Sequence, residues 1–175
     1  MAAHALEHAL AYLTPRREEM AELLHALVEI NSHTENIAGV QAVGQRLADG
    51  LGEVGALSVA LRRHDPADRF APHLVATTAA PGARTLLIGH LDTVFPPGAF
   101  EGYRSDGTHA FGPGVLDMKG GLVVAVFALR ALEAAGALAA LPLALIAVSD
   151  EEVGSPTSQP LLRALAAAPG ATRAL

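Results

Sequence analysis

Three short stretches of the sequence place imidazole and carboxylate side chains where they could bind a metal ion. His90 and Asp92 lie two residues apart, Asp117 lies in a glycine-rich stretch, and an acidic run follows at residues 150–152. The chain contains no cysteine, so any metal would be held by nitrogen and oxygen ligands. Such ligands suit a cation like Zn²⁺, which activates water for hydrolysis.

The elements expected around these stretches would bring them together. Residues 85–88 and 143–148 are short apolar runs that predict strands, and the second lacks alternation, as expected of a strand covered on both faces. Residues 122–132 are apolar nearly all round and predict a buried helix. Because open α/β sheets bind ligands beyond the carboxyl ends of their strands, we expect the three polar stretches to converge at one sheet edge.

The rest of the chain alternates between helical and strand patterns, which predicts an α/β fold with a largely parallel sheet. Thr14 and Pro15 predict a helix start, with Thr14 as the N-cap, and the helical spacing continues to Val28. The same signals predict helices at residues 38–51 and 155–165, a stop at Pro169 and Gly170, and strands at residues 57–61, 74–78 and 171–175.

Composition narrows the class of protein. With 51% apolar and 17% charged residues the chain can bury a core and is not disordered. Its net charge of −6 argues against nucleic acid as a partner. The start lacks a signal peptide and the apolar runs are too short to cross a bilayer, so we expect a cytoplasmic protein with no membrane partner.

Each polar stretch has a simpler interpretation when taken alone. A His-x-Asp pair after a strand is often a turn, and an aspartate in a Gly-Pro-Gly loop is often a turn former or helix cap. An acidic run often begins a helix, where the helix dipole favours it. The order of the three stretches, each after a buried strand or before a buried helix, favours a site over three separate coincidences.

Two further patterns are not assigned to the site. His4, Glu7 and His8 match an H-x-x-E-H pattern, but no third ligand is evident, and a solvated helix face explains them. Residues 112–121 are glycine-rich but match neither the G-x-G-x-x-G pattern nor the P-loop pattern of phosphate-binding loops.

The three stretches resemble the signatures of a known family. They read GHLDTV at residues 89–94, GPGVLDMKGG at 112–121 and SDEEVGS at 149–155. In this order and spacing they are similar to the di-zinc metallopeptidases that include glutamate carboxypeptidase, acetylornithine deacetylase and succinyl-diaminopimelate desuccinylase. The resemblance implies a zinc-exopeptidase-like sheet flanked by helices.

The resemblance also implies a role for each site residue. His90 would bind one zinc ion, Glu152 a second, and Asp117 would bridge both, with a cis peptide bond on its carboxyl side. Asp92 would hydrogen-bond the other ring nitrogen of His90, and Glu151 would be the general base that takes a proton from the bridging water. Such a site could also accept Co²⁺ or Mn²⁺ in place of zinc.

Members of this family carry further zinc ligands and an inserted lid and dimerisation domain, which residues 1–175 lack. We therefore expect an N-terminal part of the catalytic domain that is inactive alone, with apolar surface near residues 122–129 left exposed. The full-length form is expected to be a homodimer.

Three functions are compatible with these observations. The first is a zinc-dependent hydrolase of amide bonds in N-acyl amino acids or at C-terminal residues, of carboxypeptidase or deacylase type. The second is a non-catalytic remnant of this fold that acts by association, and the third is an unrelated α/β binding module. Glu151 favours the hydrolase, because a remnant has no reason to keep a base beside metal ligands.

Overall fold

A computed structural model describes residues 2–63, 69–167 and 173–174. Its strands are β1 (Leu57–Arg62), β2 (His73–Thr78), β3 (Thr85–His90), β4 (Arg104–Ser105), β5 (Ala110–Phe111), β6 (Leu143–Val148) and β7 (Arg173–Ala174). Its α-helices are α1 (Ala2–Leu13), α2 (Arg17–Val28), α3 (Ile37–Gly52), α4 (Gly120–Ala134) and α5 (Ser158–Ala167). The predicted helices at 38–51 and 122–132, and the predicted strands at 57–61, 74–78, 85–88 and 143–148, are therefore confirmed.

The main sheet is mixed, with the strand order β1-β2-β6-β3-β7. The β1–β2 and β2–β6 pairs are antiparallel, whereas β3 pairs in parallel with β6 and with β7. The prediction of a largely parallel sheet was wrong for half of these pairings. A parallel pair needs a long crossover, which α4 supplies between β3 and β6, while the shorter connections on either side of β2 lead into strands of opposite direction.

Two predicted helix starts were also wrong. Thr14 is not an N-cap: α1 runs directly into a 3₁₀ turn at Thr14–Arg16, and the Thr14 hydroxyl donates to the carbonyl of Leu10 at 2.9 Å. The last helix begins at Ser158 because Ser155 has φ +58°, a left-handed conformation that cannot belong to a helix. The predicted stop at Pro169 and Gly170 lies outside the described residues.

The core lies on both faces of the sheet, and β6 is buried at all its positions. Apolar residues of α2, α3 and α4 cover one face, and Leu161, Leu162 and Leu165 of α5 pack on the other. The expectation of exposed apolar surface at residues 122–129 was wrong for most of that segment, because α1 and α2 pack against α4. Among the described residues, no helix combines the length and the apolar character needed to span a membrane.

Candidate metal centre

The site lies where β3 and β6 end side by side. These strands pair in parallel register from Thr85 opposite Leu143 to His90 opposite Val148. His90 is the last residue of β3, Glu152 lies in a 3₁₀ turn just after β6, and Asp117 lies in the turn before α4. Ligand atoms of His90, Asp117 and Glu152 all lie within 4.8 Å of one another. The structure thus brings together the three residues that were predicted as metal ligands.

His90 is held between two carboxylates and is only 5% exposed. Its Nε2 lies 2.9 Å from Oδ1 of Asp117, and its Nδ1 lies 3.0 Å from the carbonyl oxygen of Asp92 and 3.5 Å from Oδ1 of the same residue. Burial alone would lower the pKa of His90, but the hydrogen bonds to Asp92 and Asp117 outweigh it and raise the pKa to about 9. The ring therefore has one nitrogen toward Asp92 and the other toward Asp117.

Asp92 is 1% exposed and connects three segments of the chain. Its Oδ2 accepts hydrogen bonds from the Thr34 hydroxyl at 2.7 Å and from the backbone N–H of Glu152 at 3.2 Å. Its Oδ1 accepts from the backbone N–H of Glu151 at 3.3 Å. Burial raises the pKa of Asp92, but the hydrogen bonds from His90 and Thr34 outweigh it and hold the pKa below its usual value. Asp92 is thus kept as a buried carboxylate.

Asp117 lies in a kinked turn, Val115–Lys119, in which Asp117 and Met118 have non-helical backbone angles. The Asp117–Met118 peptide bond is cis, as the family resemblance implied. The Asp117 side chain is 75% exposed, so its carboxylate faces solvent while one oxygen contacts His90. This leaves room for a further atom to approach the carboxylate.

The two glutamates after β6 differ in their surroundings. Glu152 is partly buried and belongs to the group of three, whereas the exposed Glu151 lies outside it. Burial raises the pKa of Glu152; His90 opposes this shift, and the charges of Asp117, Asp92 and Glu151 add to it. Several carboxylates thus crowd around one imidazole, an arrangement that a divalent cation would stabilise.

The donor set itself fits a metal ion. One imidazole nitrogen and two carboxylates, one of them open to solvent, are the ligands that Zn²⁺, Co²⁺ and Mn²⁺ accept in sites without cysteine. The other ring nitrogen of His90 faces the Asp92 carboxylate. A carboxylate is a common partner for the nitrogen of a metal-binding histidine that does not contact the metal.

Sequence reasoning missed three residues that support the site. Thr34 contacts Asp92 from 58 residues away, a pairing that no local pattern signals. Asp150, treated only as part of an acidic run, is buried, and its Oδ2 accepts from the N–H groups of Thr157 and Ser158 at the start of α5. Lys119 carries no signal of its own within the glycine-rich stretch at residues 112–121, yet it is buried.

The unassigned H-x-x-E-H pattern lies away from this group. His4, Glu7 and His8 are exposed on α1, and the two imidazole rings lie at a centroid distance of 4.1 Å with their planes tilted by 54°. They remain on a solvated helix face, as expected.

Comparison with known proteins identifies the family. The model of "Peptidase family M20/M25/M40" matches residues 86–174, which is half of the chain and includes all three motifs. The chain belongs to this family. The resemblance stated from the motifs is confirmed, and so is the zinc-exopeptidase-like fold.

A curated relative supports the assignment of this chain to the M20/M25/M40 family. Carboxypeptidase G2 of Pseudomonas sp. (strain RS-16) is 29% identical over 153 residues, covering 86% of this chain and 36% of the relative. The chain thus spans about a third of the length of that relative.

Two solved structures share the fold. The di-peptidase Dug1p of Saccharomyces cerevisiae has a TM-score of 0.79 at 16% identity, and the match covers 98% of this chain and 40% of the Dug1p chain. Human carnosine dipeptidase 1 has a TM-score of 0.77 at 20% identity, and the match covers 97% of this chain and 40% of the dipeptidase chain.

Proposed function

We propose that His90, Asp117 and Glu152 bind divalent cations and that the protein hydrolyses an amide bond next to a C-terminal residue or an N-acyl group. The observation that carries this proposal is the convergence of three ligand atoms within 4.8 Å at the ends of β3 and β6. Membership of a peptidase family and similarity to a carboxypeptidase support the reaction class.

The three ligands would hold two zinc ions, with Asp117 between them. His90 would hold one ion and Glu152 the other, and the exposed carboxylate of Asp117 would contribute to both. When bound, the two cations would lower the pKa of a water molecule and polarise the amide carbonyl. Co²⁺ or Mn²⁺ could occupy the same ligands.

The remaining residues would orient ligands and move a proton. Asp92 would accept a hydrogen bond from Nδ1 of His90 and so keep Nε2 turned toward Asp117. Glu151 would take the proton from the attacking water and deliver it to the leaving amine nitrogen. Its position supports this role, since its backbone is anchored on Asp92 while its side chain is exposed beside Glu152.

The test is metal-dependent release of an amino acid by the protein purified from its native cells. N-acyl amino acids and short peptides are incubated with the protein, with the chelated protein, and with the chelated protein after Zn²⁺ or Co²⁺ is restored. The proposal predicts that a free amino acid is released, that the chelator abolishes release and that the metal restores it. Metal binding without release from any substrate would favour the non-catalytic alternative, and release that survives chelation would contradict the proposed chemistry.

A further inference from the structure

Lys119, the only lysine in the sequence, lies two residues after Asp117 and is 1% exposed. Its ammonium donates hydrogen bonds to the carbonyl oxygens of Leu27 at 3.0 Å and Ile30 at 2.9 Å. Lysine is rarely buried to this extent, because its charge loses hydration. The same burial lowers the pKa of Lys119 to about 8.

The Leu27 carbonyl lies in the last turn of α2 and also accepts the N–H of Ile30 at 3.3 Å, while the Ile30 carbonyl lies two residues beyond the helix. The last carbonyls of a helix lack the regular i→i+4 partners and are available to such donors. A cation at this end also interacts favourably with the helix dipole. Lys119 therefore joins the end of α2 to the turn that carries Asp117. Its backbone N–H closes the same turn by donating to the carbonyl of Gly114 at 2.7 Å.

The end of α2 is also joined to the other side of the site. The loop that follows it supplies Thr34, whose hydroxyl binds Asp92, and Ser32, whose carbonyl accepts the N–H of Thr93 at 2.9 Å. One helix end thus supports both the Asp92 loop and the Asp117 turn. The imidazole of His90 lies between the carboxylates that these two segments carry.

We propose that Lys119 is a positioning residue for the metal centre: its ammonium, bound to the carbonyl of Leu27 in α2 and to that of Ile30 just after the helix, holds the Val115–Lys119 turn so that the Asp117 carboxylate meets Nε2 of His90. This inference rests on the proposed metal-binding function. Lys119 itself does not enter the ligand group. Its effect passes through the backbone of two residues to Asp117.

A helix cap elsewhere in the molecule provides a matched control. Arg130 of α4 donates from Nε and Nη2 to the carbonyl of Gly50, near the C-terminal end of α3, at 3.0 and 2.7 Å. It also binds a helix end with a cation, but its partners Gly50, Glu53 and Phe127 all lie outside the metal group. Loss of either cap should destabilise the fold, whereas only the loss of Lys119 should disturb Asp117.

The experiment titrates the 175-residue chain with Co²⁺, followed by visible absorption, and compares Lys119→Met with Arg130→Met. We expect Lys119→Met to bind Co²⁺ about tenfold or more weakly, with a changed absorption spectrum. Arg130→Met should unfold at a lower temperature but keep the affinity and spectrum of the wild type. Equal Co²⁺ affinity and spectrum in Lys119→Met and the wild type would overturn the positioning role and leave the proposed function standing.

A second variant covers the case in which Lys119→Met does not fold. Because the chain has no cysteine, Lys119→Cys introduces a unique thiol. Alkylation of the unfolded variant with 2-bromoethylamine restores an ammonium at the length of lysine, whereas iodoacetamide adds a neutral group. After refolding, beside wild type taken through the same cycle, only the ammonium form should recover Co²⁺ affinity.

Recovery in both alkylated forms, or in neither while the wild type refolds, would overturn the positioning role. A wild-type chain that binds no Co²⁺ would overturn this inference together with the proposal that His90, Asp117 and Glu152 by themselves bind a divalent cation, whereas the proposed hydrolysis is tested on the protein from its native cells. The two failures are therefore distinguishable.

Discussion

The hydroxyl of Thr34 donates a 2.7 Å hydrogen bond to Oδ2 of Asp92, across 58 residues of sequence. Both side chains are buried, and the same oxygen accepts the backbone N–H of Glu152. The loop after α2, the end of β3 and the turn after β6 therefore meet at one carboxylate. The positions of the ligands depend on this junction as well as on the strands that precede them.

Replacing Thr34 tests whether the junction supports the metal site. Thr34→Val keeps the shape of the side chain but removes the donor to a buried carboxylate, which should lower the free energy of unfolding by about 1–2 kcal/mol. Co²⁺ affinity should fall about tenfold. Thr93→Val is the matched control, because the buried Thr93 hydroxyl has no hydrogen-bond partner among the described residues. If both variants weaken Co²⁺ binding equally, the hydrogen bond to Asp92 is not what matters.

The start of α3 packs closely on the loop that leads to Thr34. A Cβ added at Gly39 would lie 1.9 Å from the carbonyl oxygen of Asn31, whereas one added at Gly52, in the last turn of the same helix, meets nothing within 4 Å. Gly39→Ala should therefore destabilise the fold by about 2–3 kcal/mol. Gly52→Ala should be neutral or stabilise by about 0.5–1 kcal/mol. Denaturant unfolding measures both, and similar values would contradict the close approach.

Asp150 is expected to stabilise the turn after β6 through the start of α5. Its Oδ2 accepts three hydrogen bonds, from the N–H and hydroxyl of Thr157 and from the N–H of Ser158, at 2.6 to 3.1 Å. Asp150→Ala should cost about 2–3 kcal/mol, since buried donors lose a charged acceptor. Asp150→Asn keeps an acceptor oxygen and should lower the free energy of unfolding by only about 1 kcal/mol. Amide exchange at Thr157 and Ser158 should accelerate in the alanine variant only.

The two adjacent glutamates should separate metal binding from proton transfer. Glu152→Gln should lose most Co²⁺ affinity, because an amide is a poor substitute for an anionic ligand. Glu151→Gln should keep the Co²⁺ affinity and spectrum of the wild type, since Glu151 lies outside the ligand group. In the protein made by its native cells, Glu151→Gln should nevertheless abolish most amide hydrolysis. Parallel loss of metal and activity in Glu151→Gln would refute the division of roles.

Much of the fold and the ligand set could be predicted from the sequence because the signals are local. The apolar runs of β3 and β6 end directly at His90 and at the acidic stretch, so parallel pairing alone brings these residues together. The antiparallel placement of β2 could not be predicted, because strand direction depends on pairing across distant segments. The same holds for Thr34 and Lys119, whose partners are 58 and about 90 residues away.

The predictions of the two helix starts were wrong for a different reason. Thr14 and Pro15 form a good start signal, but the alanine-rich segment before them is itself helical, so the signal falls inside a longer helical region. At Ser155 the left-handed backbone delays α5 by three residues. The cap is then supplied by Asp150, which lies further back along the chain.

His90, Asp117 and Glu152 are proposed to bind the metal together. Crystals of the chain grown with Zn²⁺ and measured at the zinc absorption edge would locate the ion directly. The strongest anomalous peak is expected between Nε2 of His90 and the carboxylates of Asp117 and Glu152. A zinc peak confined to His4 and His8 on α1, with none at the ends of β3 and β6, would show that these three residues are not the metal site.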